Sequence, residues 1–332
     1  MRKVQIFSGT SHPELSNQIV QKLGHSVSLV HLKHSANKEI TVELGVSVRD
    51  EDVFIIQSGS DSMNDHLMEL LMMVNACKAA SAKRITAVIP YYPYNKQSKK
   101  KGRGTISAKL VANMLAVAGV QHIITVDLHS SQMQGFFSMP VDNLVAEPSI
   151  AKYIHEKIPN YETGVIISKN AGATKRVTSL ADRLNMDFGL IHREKYHINE
   201  QKAADSEKGG SKGFTRLTLV GDVRDKICFL VDDIIDSPKS YLDAAQHLKT
   251  VCGATTVYII ATHAMLSGNS LQEIEECPHV HQIIATNTYP ISEEKRKIAT
   301  KLQVIDISSV LSEAIRRTHN GESISYLFHN LI

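Results

Sequence analysis

The stretch that most constrains this chain is residues 227–240, in which a short apolar run ends abruptly in a group of acids. Residues 227–231 have the length and composition of a strand that is buried on both faces, as in a parallel sheet. Asp232 and Asp233 follow this run directly, Asp236 comes shortly after them, and an apolar segment with helical spacing starts at Tyr241. A strand, an acidic loop and a helix in succession form the connection at which open α/β sheets bind their ligands.

Two adjacent carboxylates at the end of a strand could hydrogen-bond a cis-diol such as ribose. The backbone amides of the loop beyond them could hold a phosphate at the start of the helix. The alternative is a structural role, in which the acids only cap the helix that follows. The pattern alone leaves both interpretations open.

The rest of the chain repeats this alternation of short apolar runs and amphipathic helical segments. Such alternation predicts mainly parallel sheets with helices on both faces, which is the αβα class. A chain of 332 residues, at roughly 150 per domain, indicates two domains, and we place the boundary near Glu147 and Pro148. The predicted strands are residues 3–9, 27–32, 53–57, 85–89, 122–126, 164–168, 187–191, 227–231, 255–261, 282–286 and 303–307.

Composition excludes several other classes of protein. Apolar residues make up 42% and charged residues 21% of the chain, as in ordinary globular enzymes. The formal net charge of +3 is too small to indicate a nucleic-acid-binding protein. Its 4 cysteines are far apart, which indicates reduced thiols and a cytoplasmic protein. We expect no signal peptide and no membrane span, because no apolar run is long enough.

A cationic segment, residues 91–105, contains five Lys or Arg residues, two glycines and no acid. It lies between a predicted strand and a strongly patterned helix, so it could form a loop that binds polyphosphate. A solvated run of charge is the plainer interpretation. Nucleic acid is a rival ligand, because the tyrosines at its start could stack on bases, but no RNA-binding signature accompanies them.

Two further segments carry candidate functional residues. Asp127 and His129 follow the predicted strand 122–126, where they could bind Mg²⁺ through water or contact a phosphate. A single histidine in this position is more often structural. Residues 199–215 contain almost no large apolar side chain, so we expect a disordered or lid-like loop whose cations could close over a substrate.

Motifs spread along the whole chain occur together in one known family. The chain resembles the ribose-phosphate pyrophosphokinases, or PRPP synthetases, at residues 6–9, 93–97, 106–113, 127–129, 134–137, 141–144, 175–176, 231–233, 286–288 and 316–323. This resemblance implies two phosphoribosyltransferase-like αβα domains, residues 1–147 and 148–302. It also implies that residues 303–332 return to the first domain.

The resemblance also implies a reaction and a set of site residues. The anomeric hydroxyl of ribose 5-phosphate would attack the β-phosphorus of Mg-ATP to give PRPP and AMP, a transfer that depends on positioning and on cations. The implied residues are His129, Arg193 and Lys195 for catalysis; His129 and Asp127 for Mg²⁺; Asn37, Glu39, Lys96 and Gln97 for ATP; and Asp232, Asp233, Asp236, Ser237, Lys239 and Ser240 for ribose 5-phosphate. A regulatory site for phosphate and ADP at a subunit interface would involve Ser47, Arg49, Ser81, Ser308 and Ser309, each of which could equally be an ordinary surface or capping residue.

The chain departs from the family pattern in both substrate sites. The sugar-phosphate loop contains Pro238, which lacks an amide donor, and Lys239 in place of a glycine. Asn170 replaces an aspartate that would bind Mg²⁺, and Lys169 precedes it, so we expect weaker divalent binding. In the catalytic loop, Lys-Glu-Arg has become Arg-Glu-Lys at residues 193–195, which changes the geometry of the guanidinium fork.

These departures favour a regulatory subunit over a fully catalytic enzyme, and the near-neutral charge balance disfavours a third class, a nucleic-acid-binding protein. The chain would be a weakly active or non-catalytic regulatory subunit that assembles with a catalytic PRPP synthetase paralogue. The expected assembly is a dimer-based hetero-oligomer of hexamer size or larger. The alternative is a fully catalytic enzyme in which Lys239, Lys195 and Arg193 have adapted roles. A nucleic-acid-binding protein built on the same fold is the third class, and strong duplex binding that falls with salt would favour it.

Overall fold

The structure, a computed structural model, describes residues 3–100, 102–196 and 214–329 of the chain. In chain order the strands are β1 (Val4–Ser8), β2 (Val30–His34), β3 (Ile40–Leu44), β4 (Asp52–Ile56), β5 (Arg84–Ile89), β6 (His122–Val126), β7 (Val141–Leu144), β8 (Val165–Ser168), β9 (Asp187–Tyr196), β10 (Phe214–Val220), β11 (Ile227–Ile235), β12 (Thr256–Ala264), β13 (Gln282–Thr286) and β14 (Leu302–Ile305). The α-helices are α1 (Pro13–Lys22), α2 (Met63–Ala79), α3 (Ser107–Ala118), α4 (Glu147–Lys157), α5 (Thr174–Leu184), α6 (Lys239–Thr250), α7 (Ser270–Glu276), α8 (Glu293–Ile298), α9 (Ser308–Asn320) and α10 (Tyr326–His329). Among the described residues, no helix has the length and apolarity that a membrane crossing requires.

The first sheet is parallel and has the strand order β1-β4-β5-β6-β7. Its central strands are continuous apolar runs, and β4 is buried along its whole length. Such strands form in the middle of a sheet because helices cover both faces. β2 and β3 form a separate antiparallel hairpin, which packs against α2.

The second sheet has the strand order β10-β9-β8-β11-β12-β13-β14. Its pairs are parallel except for β9 and β10, which are antiparallel. β11 lies in the centre, between β8 and β12, and pairs with β12 from Ile227 to Ile235. The central strand of this sheet is therefore the one that carries the two adjacent acids.

One apolar core is shared by the two sheets. It combines buried side chains from a face of each sheet with those of α1, α4, α5 and α9, including Ile19, Ile154 and Leu311. The opposite face of the first sheet is covered by α2 and α3, and that of the second sheet by α6 and α7. Because the central core includes residues from both sheets, it fixes their strand ends relative to each other.

The predicted αβα class with mainly parallel sheets is confirmed. Three strands, β3, β7 and β10, were not predicted, and the first strand of the hairpin lies a few residues later than expected. The prediction that β11 ends before the acids was wrong, because the strand continues through them to Ile235. The expected loop at 199–215 falls mostly outside the described residues, and its last two positions belong to β10.

The C-terminal segment has contacts with both halves of the molecule. β14 pairs with β13 in the second sheet, so the start of the segment 303–332 lies there and not in the first domain. α9, which follows, packs against α1. The side chain of Asp52 in β4 also contacts Arg84 and His319, at 2.9 Å each, which attaches the end of α9 to the first sheet.

Candidate functional site

The candidate site lies where the carboxyl ends of β6 and β11 meet. His129 follows β6 in the first sheet, and Asp233 lies in β11 of the second sheet. Nδ1 of His129 is 2.5 Å from Oδ2 of Asp233, within hydrogen-bonding distance. The fold therefore brings together two of the motifs that the sequence analysis selected separately.

The turn after β6 determines where His129 lies. Asp127 has a left-handed backbone conformation, with φ of 42°, which turns the chain sharply at the end of the strand. The next two amides are then held by side chains of neighbouring segments. Leu128 N–H donates to Oδ1 of Asn143 at 3.0 Å, and His129 N–H donates to Oδ1 of Asn95 at 2.9 Å.

The Asp127 side chain forms hydrogen bonds inside the protein. Its Oδ2 accepts from the hydroxyl of Thr262 at 2.6 Å and from the amide of Ala146 at 3.2 Å. Its backbone carbonyl accepts from Nε2 of His263 in β12 at 3.2 Å, and burial lowers the pKa of that imidazole. Asp127 thus joins the two sheets, and its predicted role as a Mg²⁺ ligand stays a prediction.

Each of the two adjacent acids is paired with a cation from the same chain. Nζ of Lys169, just after β8, lies 2.9 Å from Oδ2 of Asp232. Nη1 of Arg176, in the first turn of α5, lies 3.7 Å from Oδ1 of Asp233. Asp233 therefore interacts with Arg176 through one oxygen and with His129 through the other.

The two carboxyl groups differ in their acidity. Burial raises the pKa of Asp232, and the charge of Lys169 only partly opposes this shift. Burial acts in the same direction on Asp233, but the hydrogen bond from His129 and the charge of Arg176 together bring its pKa below the ordinary value. Asp233 is thus the more firmly ionised member of the pair.

The turn between β8 and α5 does not fit the divalent-metal site that the resemblance implies. Oδ1 of Asn170 accepts from the amide of Ala173 at 3.1 Å, so the amide oxygen caps this turn. The neighbouring carboxylate oxygen of Asp232 is already bonded to Lys169. Within the described ranges, no three His, Cys, Asp or Glu side chains are grouped so that they could hold a metal ion.

The predicted sugar-phosphate loop lies at the start of α6. Pro238 occupies the N-cap position, and its carbonyl accepts from the amides of Tyr241 and Leu242 at 2.8 and 3.0 Å. Ser237 and Lys239 are exposed, and Ser240 is half-buried. Because proline has no N–H, the loop presents one fewer amide toward an anion than a loop without proline.

Of the two predicted catalytic-loop cations, Arg193 lies beside this loop. Its Nη2 is 3.3 Å from Oδ2 of Asp243 and 3.4 Å from the carbonyl of Ser240. Lys195 lies in β9, where its backbone is opposite Thr215 of β10. Arg193 thus faces the N-terminus of α6, as a phosphate-binding role would require.

The predicted ATP-side residues lie in two places. Nζ of Lys96 is 3.6 Å from Oδ2 of Asp236, and the side chain of Gln97 accepts from the hydroxyl of Ser107 at 2.6 Å. Asn37 and Glu39 lie at the exposed tip of the β2–β3 hairpin, where the side chain of Asn37 accepts from the amide of Glu39. The contact with Asp236 therefore connects Lys96 to the sugar-phosphate loop.

The predicted regulatory residues form two groups. The exposed residues Ser47 and Arg49 precede β4, and Arg49 forms a bridge with Ala82, next to Ser81. Ser308 and Ser309 begin α9, where Ser309 accepts a hydrogen bond from Lys22 at 2.8 Å. The end of α9 contacts the start of β4, so the two groups are separated by most of the length of that helix.

Several site residues were not found from the sequence. Thr262 and His263 lie inside the apolar strand β12, so no loop or motif spacing distinguished their roles, whereas Asn143, in β7, was noticed only as part of the family motif at residues 141–144. Asn95 was noticed only as part of a family motif. A signal was available for Thr262 and His263, because they are consecutive polar residues in an otherwise apolar run.

Two αβα units with acids and a histidine at the adjoining strand ends define an α/β protein whose candidate site lies at the carboxyl ends of parallel strands. Residues 4–119 match the family model of the N-terminal domain of ribose phosphate pyrophosphokinase. Residues 206–329 match the model of the phosphoribosyl synthetase-associated domain. The chain belongs to the ribose-phosphate pyrophosphokinase family, a family of transferases.

Among the similar solved structures, that of a PRPP synthetase supports this assignment. Phosphoribosylpyrophosphate synthetase from Mycobacterium smegmatis is 37% identical, the match covers 96% of this chain and 100% of that chain, and the TM-score is 0.85. Purine phosphoribosyltransferase from Pyrococcus horikoshii is 18% identical over 49% of this chain and 84% of its own, with a TM-score of 0.28. Adenine phosphoribosyltransferase from Trypanosoma brucei is 19% identical over 40% of this chain and 58% of its own, with a TM-score of 0.29.

Proposed function

We propose that this chain is a weakly active or non-catalytic regulatory subunit of a PRPP synthetase. The assembled enzyme would make PRPP and AMP from ribose 5-phosphate and Mg-ATP in the cytoplasm, for nucleotide biosynthesis. Its partner would be a catalytic paralogue, in a hetero-oligomer built from dimers. Family membership supports the reaction class, and the departures in the site support the regulatory role.

The observation that carries this proposal is the ion pair between Lys169 and Asp232. The resemblance assigns Asp232 to the ribose hydroxyls, yet its Oδ2 already holds the Lys169 ammonium at 2.9 Å. A substrate hydroxyl would have to share this oxygen or displace the ammonium. Sharing the oxygen leaves the ammonium where a divalent ion would act on the sugar, and displacing it costs the free energy of separating a largely buried ion pair, so either arrangement weakens catalysis even where the sugar still binds.

Two other features also support a weakly active or non-catalytic role. Asn170 cannot supply the carboxylate that the family pattern places on Mg²⁺, and its side-chain oxygen already accepts a hydrogen bond from Ala173. Pro238 removes an amide from the sugar-phosphate loop. A reaction that depends on placing phosphate groups and cations accurately is sensitive to such changes.

A fully catalytic enzyme is the second candidate, and the contact between His129 and Asp233 favours it. This contact joins the predicted ATP side to the predicted ribose side. Arg193 lies at the N-terminus of α6, and Lys239 supplies a charge there, so both could replace lost contacts to phosphate.

The proposal is tested by mixing this chain with a catalytic paralogue purified separately. Size-exclusion chromatography with light scattering would detect co-assembly, and AMP release would be measured with and without added phosphate and ADP. We expect a mixed oligomer whose rate, or whose response to phosphate and ADP, differs from that of the catalytic chain alone. Two separate species with unchanged kinetics would contradict the regulatory role.

A further inference from the structure

We propose that Lys169 and Arg176 serve as built-in cations, so that the pocket at Asp232 and Asp233 binds a sugar phosphate without a divalent metal ion. This inference rests on the proposed function only in placing a sugar phosphate at these acids. It does not depend on whether the chain is catalytic, because it concerns binding alone.

Lys169 is held in position from more than one side. Its ammonium lies over the ring of Tyr241, 3.6 Å from the ring centroid, as well as on Asp232. Tyr241 is fully buried, and its hydroxyl donates to the carbonyl of Ile234 at 3.0 Å. The Lys169 side chain is only 15% exposed, so the ammonium is a fixed part of the pocket.

Arg176 is the second fixed cation. Although burial acts to lower the pKa of its guanidinium, the charges of Asp127, Asp233 and Asp232 raise it overall. The side chain starts in the first turn of α5, a helix packed against the central core. Both cations therefore come from one short segment, residues 169–176, which joins β8 to α5.

These two cations largely neutralise the acids that a divalent ion would need. Three carboxylates, those of Asp127, Asp232 and Asp233, face two permanent cations in the same cluster. A divalent ion at Asp232 would meet the Lys169 ammonium within contact distance, and like charges so close repel strongly where water is scarce. In this pocket the positive charge is supplied by the side chains of Lys169 and Arg176 and not by a divalent metal ion.

A sugar phosphate fits the remaining hydrogen-bonding capacity. An ionised carboxylate has about four acceptor positions, so Asp232 and Asp233 can each accept from a hydroxyl in addition to their present partners. The Lys169 ammonium and the Arg176 guanidinium can in turn donate hydrogen bonds to the oxygens of the sugar hydroxyls. Arg193 and the first amides of α6 lie at the sugar-phosphate loop, where they can bind the single phosphate of ribose 5-phosphate.

The test is direct binding of ribose 5-phosphate to the full-length chain, measured by isothermal titration calorimetry in excess EDTA and again in excess Mg²⁺. We expect the two dissociation constants to agree within about twofold. Binding that is lost in EDTA would overturn the proposal, and so would the absence of binding under both conditions. Because no turnover is measured, failure here is distinguishable from failure of the proposed regulatory role.

Two substitutions at Lys169 sharpen the test. Lys169→Met removes the charge and should weaken binding by about tenfold in both buffers. Lys169→Asp adds a carboxylate beside Asp232 and should make binding at least about tenfold tighter with Mg²⁺ than with EDTA. Lys249→Met, at the exposed far end of α6, is the matched control and should bind as the wild type does. Circular dichroism would check that each variant is folded. If Lys169→Asp does not fold, the comparison of wild-type binding in EDTA and in Mg²⁺ still tests the proposal.

Discussion

Nδ1 of His129 lies 2.5 Å from Oδ2 of Asp233, although the two residues are 104 positions apart in the chain. The contact connects the end of β6 in the first sheet to the central strand of the second sheet. A further connection lies close by, where Thr262 and His263 bond to Asp127. The candidate site is therefore also a place where polar contacts join the two sheets, so changes in the site should affect stability as well as binding.

The buried histidines predict a loss of stability at mildly acidic pH. Burial lowers the pKa of His263 and of His12 from 6.5 in the folded state. Between the folded and unfolded pKa values the unfolded chain binds more protons, so the free energy of unfolding falls as the pH drops below about 6.5. Urea denaturation at several pH values between about 7.5 and 5.5 measures this slope.

Replacing one of these histidines should reduce the slope. His263→Gln removes one titrating group, so the variant should lose less stability on acidification, by up to about 1.4 kcal/mol per pH unit. Gln246→Ala, at an exposed position of α6, removes a side chain that does not titrate and should keep the wild-type slope. An unchanged slope in His263→Gln would mean that this imidazole does not titrate on unfolding.

Asp52 should be important for holding α9 against the first sheet. Its side chain is 2% exposed and bonds both Arg84 and His319 at 2.9 Å. Asp52→Ala leaves these partners without their acceptor and should lower the free energy of unfolding by about 2–3 kcal/mol. The control, Asp187→Ala, removes an exposed ion pair with Lys226. It should change the free energy of unfolding by less than about 0.5 kcal/mol. Equal effects of the two substitutions in urea denaturation would contradict this account.

The strands were predictable wherever the sequence has a continuous apolar run. The bounds of β6 and β13 match the prediction, because buried central strands need apolar side chains on both faces. β7 escaped prediction because Asp142 and Asn143 interrupt its apolar residues, and its strand conformation depends on pairing with β6. β10 is an antiparallel edge strand that pairs with β9, and its start was hidden by the polar segment before it.

The site was predictable as a set of strand ends but not as a network of contacts. The acids of β11 and the histidine after β6 are visible as polar residues that end apolar runs. The pairing of Lys169 with Asp232 is not, because it depends on β8 lying next to β11 in the sheet. Nothing in the sequence pattern indicates that β11 continues through its acids, since carboxylates in a strand require partners from other segments.

Gly164 should tolerate no side chain. A Cβ at this position would lie 2.8 Å from a ring carbon of Phe229 and 2.9 Å from the carbonyl oxygen of Ile227. Gly164→Ala should therefore lower the free energy of unfolding by about 1–3 kcal/mol through overpacking. Gly135→Ala is the matched control, since a Cβ there meets no atom within 4 Å. Thermal or urea denaturation compares the stabilities of the two variants. A Gly164→Ala variant as stable as the wild type would contradict the close packing of Gly164 against Phe229 and Ile227.

Arg49 should affect regulation and not assembly. It is exposed beside Ser81, as a residue that binds an anion at a subunit interface would be. In a complex with a catalytic paralogue, Arg49→Ala should reduce the response of AMP release to phosphate and ADP. Arg224→Ala, at another exposed position, should leave that response unchanged. If Arg49→Ala keeps the full response, the assignment of the regulatory site is wrong.

The central claim is that this chain contributes little turnover by itself. The measurement that tests it most directly is AMP release from Mg-ATP and ribose 5-phosphate by the chain purified alone and free of host enzyme. We predict at most a weak turnover above that of the His129→Ala variant. Robust turnover that His129→Ala abolishes would contradict the claim and would identify the chain as a catalytic PRPP synthetase with a variant sugar-phosphate loop.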